Sequence, residues 1–373
     1  MARTRVTPTD AFLTVIRRNA ELRQRIDLAQ DVQVQQRQPQ QPSFFEHVKT
    51  TLFGNNEDEM FETLAINRAM FEAALNLVDT IPLPTRGRRS FVHTHRDKLL
   101  FLLVFLTQGV KALKMACLPK LKSLAQILSV LHDTVALFGP RIVTNTVNKR
   151  TELCEALPLC SSVVDCTVVE IVGPALPFKE RRAYFSGKHK KYCLKKEVIV
   201  NVRSGTAAMI SDAYQGSAAD ITILKNHAAQ VNVMLGESTL LADKGYRGDC
   251  LVPGLVVADD EAGLLVRQQR ALVERFFGRL KNSFVVFSQK WTLGITSFSS
   301  FCDTACGLTN LLILVHPLNY DDWVFNNNLL MLWEREVQEN ERMKRTREER
   351  ERERRLLERE ELIVASLLTR TEW

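Results

Sequence analysis

Three acidic residues occur within or at the ends of segments whose sequence predicts regular secondary structure, which would fix the position of each carboxylate. Asp165 interrupts an apolar, β-branched run at residues 163–169, Asp243 ends the apolar run 239–242 and precedes a turn sequence, and Glu274 lies in an amphipathic helical pattern at residues 267–281. Phosphodiester cleavage gains most from two divalent ions about 3.5–4 Å apart. Mg²⁺ prefers oxygen ligands and retains several waters. These carboxylates therefore predict a two-metal catalytic centre.

Each acidic residue also has a purely structural interpretation. The chain has 43 Asp and Glu residues, so the local context must carry the argument rather than the spacing. Asp165 inside a buried strand could pair with an Arg or Lys instead of a metal. Asp243 could begin a turn through hydrogen bonds to its own backbone. Glu274 could form a surface pair with Arg270, one helical turn away.

Positive charge is concentrated in one short segment. Residues 178–203 contain nine Lys or Arg and two Glu, an excess of +7 that equals the net charge of the whole 373-residue chain. A polyanion is the natural partner of such a segment, and a solubilising surface loop is the alternative. We predict that the phosphates of DNA contact this cluster and cations near the acidic residues: Arg181, Arg182, Lys188, His189, Lys190, Lys191, Lys195, Lys196, Lys244, Arg247, Arg270 and Lys281.

The pattern of apolar residues divides the chain into four parts. Residues 1–43 hold a helix and a Gln-rich linker at 31–42, and residues 44–155 form a helical domain with breaks at Pro82, Pro84, Pro119 and Pro140. Residues 121–150 could contain a helix-turn-helix. Residues 156–325 alternate strand and helix patterns, which predicts an α/β domain. Residues 326–373 are rich in Glu and Arg and predict a long solvated helix.

Other features favour a soluble intracellular protein. None of the eight cysteines has C-x-x-C spacing, the first residues are polar and charged, and the uninterrupted apolar run 99–106 is shorter than the ~20 residues that a membrane helix needs. We expect no membrane association. Ser217 and Asp220 have the spacing of a capping box that opens a helix over 220–233.

Five sequence blocks resemble the PIF/Harbinger-type transposases and their domesticated relatives, within the DDE superfamily endonucleases. In chain order they are VDCT at 164–167, YFSGKHK at 184–190, GSAAD at 216–220, DKGYRG at 243–248 and RALVERFFGRLK at 270–281. The separation of 31 residues between Asp243 and Glu274 is similar to the short spacer of that family. Residues 249–268 do not show the family's usual features.

The resemblance implies an RNase H-like core, a mixed sheet flanked by helices, in which Asp165, Asp243 and Glu274 hold two Mg²⁺ or Mn²⁺ ions. It implies cleavage at transposon ends and joining of the freed 3′ hydroxyl to target DNA. It also implies a nuclear protein that uses a Myb-like DNA-binding partner, and it allows a homo-oligomer. By analogy, His189 would contact phosphate rather than act as a general base.

Two other functions compete with an active nuclease. A domesticated DNA-binding protein would keep the basic segment and bind DNA without cutting it under any divalent metal. An interaction scaffold would depend on the charged tail from Leu332 onward, so that deleting the tail abolishes function and leaves metal binding unchanged.

Overall fold

The computed structural model describes residues 42–83, 92, 94–117, 121, 123–147, 160–248, 251–258 and 264–318, and single residues of the charged tail at 342, 343, 346, 350 and 354, with only the backbone for 264–268. The chain divides into two units, Met1–Asn326 and Asn327–Trp373. The tail residues are helical. The N-terminal helix, almost all of the Gln-rich linker and most of the predicted tail helix lie outside the described residues.

Helices occupy the described part of residues 44–147, as the apolar periodicity predicted. They are α1 (Phe44–His47, continuing as a π-helical turn at Val48–Leu52), α2 (Glu57–Thr63), α3 (Arg68–Val78), α4 (His95–Cys117, kinked at Gly109) and α5 (Leu124–Thr146). Side chains cap several of them: Asn67, for example, accepts a hydrogen bond from the Met70 N–H at 2.9 Å.

Two expectations for α5 are wrong. Pro140 lies inside this helix instead of breaking it, although a proline removes one backbone hydrogen bond. The helix-turn-helix expected within 121–150 is replaced, in the described part of that segment, by one continuous helix. Its physical cause is the uninterrupted apolar face, represented by Ile127, Leu131 and Phe138, which is buried along most of the helix length.

A six-stranded mixed sheet forms the second half of this unit. Its strands are β1 (Cys160–Glu170), β2 (Phe185–Ser186), β3 (Lys191–Asn201), β4 (Ala207–Gln215), β5 (Thr239–Ala242) and β6 (Leu255–Val257). The order is β4-β3-β1-β5-β6, with the short β2 also pairing with β3. The pairs β4–β3 and β3–β1 are antiparallel, and β1–β5 and β5–β6 are parallel. The expected α/β class is confirmed at this level.

Helices flank the sheet. The short α6 (Phe178–Arg182) leads into β2, and α7 (Asp220–Asn226) and α8 (Ala228–Leu235) follow β4. Their apolar residues Leu224 and Val231 join Val164, Ile199 and Leu240 of the sheet in one buried cluster. After β6 come α9 (Leu264–Ser283) and α10 (Ile295–Val315). The long helix α10 packs on α5 and also contacts β4, so the helical region and the sheet share a core.

Close packing of α5 against α10 requires glycines. A Cβ atom on Gly307 would lie 2.7 Å from Thr146 Oγ1 and 2.9 Å from Ile142 Cγ2, both on α5. Distances this short are not tolerated between non-bonded atoms in a packed core. The absence of a side chain at Gly307 therefore sets how closely the two helices approach.

Three described helices, α4, α5 and α10, are long and apolar enough to cross a membrane by length and composition. The expectation from the run 99–106 that no segment reaches membrane length is therefore wrong, because the helices extend well beyond that run. Much of the most apolar stretch of α4 and α10 is buried inside the protein, 67% and 78% respectively, against 39% for α5.

Candidate active site on the central strand

Asp165 and Asp243 continue the register of two neighbouring parallel strands. Val163 of β1 lies opposite Leu241 of β5, and each aspartate follows two residues later in its own strand direction. A step of two residues returns a side chain to the same face of a sheet, and neighbouring strands are about 4.8 Å apart. The fold thus brings together two carboxylates that are 78 residues apart in the sequence.

The chemistry of Asp165 reflects its position inside the sheet. Burial raises the pKa of Asp165 to about 6, and the charges of Asp243 and Asp220 act in the same direction. A hydrogen bond from the Cys166 N–H (2.7 Å) and the charge of Lys188 oppose this shift. A desolvated carboxylate beside two others is stabilised by a bound cation.

Asp220, for which the sequence predicted a helix-capping role, lies close to Asp165 and Asp243. The capping box is wrong, because Ala219 is the N-cap residue of α7 without a side-chain cap bond, and the expected helix 220–233 is two helices separated at His227. Asp220 instead forms an ion pair with Lys195, with Nζ 2.8 Å from Oδ1. Its place in the GSAAD block was the one signal for a site role.

The turn after β5 lets Asp220 and Asp243 approach each other. Asp243 Oδ1 accepts a hydrogen bond from the Gly245 N–H at 2.8 Å, so the predicted turn-forming role is also present. A Cβ atom on Gly245 would lie 2.9 Å from Asp243 Oδ1 and 3.1 Å from Asp220 Oδ2. A side chain at Gly245 would therefore crowd both carboxylates.

Glu274 lies on the exposed surface of α9, which runs alongside β1 in the same direction. Midway along α9, Leu272 is 3.7 Å from the place of a Cβ on Gly205, whose N–H donates to Asn201, the partner of Ser162 at the start of β1. Near the end of α9, Lys281 Nζ donates to the carbonyl oxygen of Val168, near the end of β1, at 3.0 Å. Among the described residues, however, no three His, Cys, Asp or Glu side chains are close enough to share one metal ion. The carboxylate oxygens of Asp165 and Asp243 thus suit a hard cation, whereas Glu274 does not lie close enough to share a metal ion with them.

Two of the predicted phosphate contacts are wrong. Lys195 is 7% exposed and, besides its ion pair with Asp220, donates to the Ala218 carbonyl oxygen at 2.7 Å. Lys196 is 0% exposed, with Nζ 2.7 Å from Asp303 Oδ1 and 2.6 Å from Ser299 Oγ. Both faces of β3 are covered, so successive lysines point into opposite sides of the interior rather than to solvent.

The remaining basic residues keep access to solvent. Those that are exposed are Arg182, Lys188, His189, Lys190, Lys244 and Arg247. Those that are half-buried are Arg181, Lys191, Arg270 and Lys281. Burial and the neighbouring lysines lower the pKa of His189, which favours its neutral form. Cationic side chains therefore surround the β2–β3 hairpin and the turn after Asp243.

A buried polar cluster supports the candidate site from the opposite face of β1. Tyr246, which follows the Asp243 turn, lies with its hydroxyl 3.4 Å from Cys166 Sγ. Glu197 of β3 lies nearby and pairs with His227, with Nε2 2.7 Å from Oε1. Burial is the largest influence that raises the pKa values of Cys166, Glu197 and Tyr246. No pattern in the sequence predicted this cluster.

Comparison with known proteins gives one family. Residues 164–310, or 147 of the 373 residues, match the family model described as DDE superfamily endonuclease. This match includes all three predicted acidic residues and indicates similarity to transposase-like nucleases. No curated protein and no solved structure matches the chain.

Proposed function

We propose that this protein is a metal-dependent DNA endonuclease of the PIF/Harbinger transposase type with an RNase H-like core. Support for the core comes from the order β4-β3-β1-β5-β6, in which three antiparallel strands continue into two parallel ones. Support for the chemistry comes from the family match over 164–310. The single observation that carries the proposal is the register that places Asp165 and Asp243 together at the end of β5.

The proposed residues have distinct roles. Asp165 and Asp243, completed by Glu274 from α9, would hold Mg²⁺ or Mn²⁺. Two such ions would activate the attacking oxygen and stabilise the leaving oxygen of a phosphodiester. Burial of Asp165 makes an ionised carboxylate without a counter-charge energetically unfavourable. This cost favours the binding of a cation at this edge of the sheet.

The proposed substrate is DNA at the ends of a transposon. Exposed cations of the β2–β3 hairpin, Lys188 and Lys190, would contact the phosphates without reading bases. Hydrolysis would free a 3′ hydroxyl that is then joined to target DNA. We further propose a nuclear location, a Myb-like partner that supplies sequence recognition, and assembly as a homo-oligomer.

A plasmid-nicking experiment tests the proposed reaction. The full chain should convert supercoiled DNA to nicked circles in Mg²⁺ or Mn²⁺ and not in EDTA. Asp165→Asn and Asp243→Asn should each reduce nicking by at least about 100-fold, about 2.7 kcal/mol of transition-state stabilisation. Glu237→Gln is the matched control, because Glu237 is an exposed carboxylate outside the site. Equal nicking by all variants would refute the assignment.

One observation favours a second function, a domesticated DNA-binding protein without cleavage activity. Within the described residues the third carboxylate is not gathered with the two aspartates. Under this alternative, Glu274→Gln would leave every measurable property unchanged and the protein would bind DNA without nicking it. Under the nuclease proposal, Glu274→Gln would weaken metal binding and abolish nicking.

A further inference from the structure

Exposed apolar side chains are concentrated in the connection between β1 and β3. Of the eleven large apolar side chains that are exposed among the described residues, four lie within the short segment 172–185: Val172, Leu176, Phe178 and Phe185. Phe178 is 70% exposed and Phe185 is 39% exposed. Contiguous exposed apolar surface commonly marks the place where a protein binds a partner.

The aromatic residues of this connection form a continuous surface with Arg181. The rings of Phe185 and Tyr192 meet edge to face, with their centroids 5.4 Å apart. The guanidinium carbon of Arg181 lies 5.9 Å from the centroid of the Tyr192 ring. Phe178 precedes Arg181 by three residues in α6, so their side chains are neighbours on the surface of that helix. These four residues are named the aromatic–basic surface.

The charge around the aromatic–basic surface is strongly positive. Residues 172–192 contain six Lys or Arg and a single acidic residue, Glu180, a net charge of +5. Lys179 and Arg182, which flank Arg181 in α6, are exposed. Arg181 Nε is buried, and within the described residues it has no hydrogen-bond partner. The occupant of this surface should therefore be an anion that also offers apolar faces.

An unpaired DNA strand has both properties, because phosphates alternate with flat base faces along its length. In a duplex the base faces are stacked on one another and cannot contact the rings. A second copy of this chain is disfavoured, because two surfaces of the same charge repel each other.

The β2–β3 hairpin also brings this surface towards the candidate active site. Lys188 lies between Phe185 and Tyr192 in the sequence. Burial raises the pKa of Asp165, and the charge of Lys188 opposes that rise, so Lys188 is close enough to act on this carboxylate. A strand of DNA at the two aspartates would therefore meet the hairpin that carries the exposed rings.

We propose that the aromatic–basic surface binds an unpaired strand of the DNA substrate, with bases stacked on Phe178 and Phe185 and phosphates at Arg181 and its cationic neighbours. Stacking on aromatic side chains beside cations holds single strands with little sequence preference. The identity of the strand as part of the substrate rests on the proposed nuclease function. Binding of a free oligonucleotide does not, because it requires neither metal nor the aspartates.

Fluorescence anisotropy of the full chain in EDTA, with two labelled oligonucleotides, tests this surface. One is oligothymidine, and the other has the same length and charge but carries abasic sites in place of the bases. We expect the wild type to bind oligothymidine at least about 10-fold more tightly than the abasic strand, because only the former can stack. Equal affinities for the two strands would overturn the proposal.

Substitutions at Phe178 locate the stacking. Phe178→Ala should weaken oligothymidine binding at least about fivefold and change abasic-strand binding less than about twofold. Phe178→Trp keeps an aromatic face and should retain the affinity of the wild type. Because Phe178 is 70% exposed, neither substitution removes a core side chain. Val233→Ala is the matched control, because Val233 is an exposed apolar residue outside the basic segment, and it should bind both strands as the wild type does.

Phe185→Ala is a second variant, which should also weaken oligothymidine binding selectively. If Phe178→Ala and Phe185→Ala both bind oligothymidine as tightly as the wild type, the proposal is wrong. An acidic, apolar segment of a partner protein is the competing occupant. If a peptide of alternating Glu and Leu binds the wild type but not Phe178→Ala, while the two oligonucleotides bind equally, the surface belongs to a protein partner and the proposal fails.

The nicking assay separates this surface from the nuclease function. Asp243→Asn should bind oligothymidine as tightly as the wild type. If Asp243→Asn retains nicking while oligothymidine binding depends on Phe178, the nuclease assignment fails and the single-strand site stands. If nicking depends on Asp243 but the oligothymidine and abasic strands bind equally, the single-strand site fails and the nuclease assignment stands.

Discussion

His227 and Glu197 form a buried pair beneath the strand that carries Asp165, with His227 Nε2 2.7 Å from Glu197 Oε1. Glu197 is 1% exposed, and burial raises its pKa. The imidazole therefore supplies the partner that makes this carboxylate tolerable in the interior. The pair connects β3 to the segment between α7 and α8. That segment lies on one side of the candidate site.

The first prediction concerns this pair. His227→Leu leaves Glu197 buried without its partner and should lower the free energy of unfolding by about 3–5 kcal/mol. Adding Glu197→Gln to His227→Leu removes the buried charge and should restore part of this loss. Urea unfolding measures both effects. A double variant less stable than the wild type by the full sum of the two single effects would contradict the coupling.

The second prediction separates buried from exposed lysines. Asp303→Asn leaves the fully buried Lys196 without a counter-charge, so it should lower the free energy of unfolding by about 3–5 kcal/mol. Lys188→Met and Lys190→Met should change stability by no more than about 0.5 kcal/mol.

DNA binding should depend on the exposed lysines, Lys188 and Lys190, although the stability of the fold does not. Each exposed-lysine variant should weaken binding on any sequence and reduce the slope of log affinity against log salt by about 0.9. Fluorescence anisotropy at several salt concentrations measures this slope. A slope unchanged in the double variant Lys188→Met/Lys190→Met would exclude these residues as phosphate contacts.

The third prediction concerns pH and Asp165. Its pKa of about 6 in the folded chain exceeds the ordinary value of 3.8, so the folded state binds this proton more tightly than the unfolded state. Without metal, this contribution to stability is complete below about pH 4 and is lost as the pH rises through about 6. Asp165→Asn should therefore be more stable than the wild type at pH 7.5 in EDTA, by up to about 3 kcal/mol.

Two measurements check this relationship by urea unfolding. The difference between Asp165→Asn and the wild type should vanish at pH 3.5. Saturating Mg²⁺ at pH 7.5 should stabilise the wild type and not the variant, because only the carboxylate gains from the cation. If Asp165→Asn is less stable than the wild type in EDTA at pH 7.5, burial of the ionised Asp165 carboxylate does not destabilise the folded state.

The fourth prediction tests helix packing. Gly307→Ala places a methyl group against Thr146 and Ile142 of α5 and should lower the free energy of unfolding by about 1–3 kcal/mol. Gly278→Ala meets open space and should raise it by up to about 1 kcal/mol. Thermal unfolding measures both. Stabilisation by both substitutions would mean that α5 and α10 do not approach closely at Gly307.

The local sequence pattern was sufficient to predict the strands and the helix that carry or precede the acidic residues. The run that contains Asp165 is β1, the run at Thr239–Ala242 is β5, and the helical pattern around Glu274 is α9. These segments show a clear apolar periodicity, and each element forms where its own side chains can be buried. Sequence patterns failed at Pro140 and at the cap of α7, where packing of α5 on α10 and the Asp220–Lys195 ion pair replaced the local preference.

The sequence by itself determined which residues are acidic, basic and apolar along each element, and therefore which strands and helices carry the candidate chemistry. Only the tertiary structure decided the pairing of β1 with β5, and hence the juxtaposition of Asp165 and Asp243. It also decided that Lys195 and Lys196 face the interior. Their charge alone predicted contact with solvent, but a strand covered on both faces buries successive side chains on its two sides. Asp220 and Asp303 supply the counter-charges that make the burial of Lys195 and Lys196 possible.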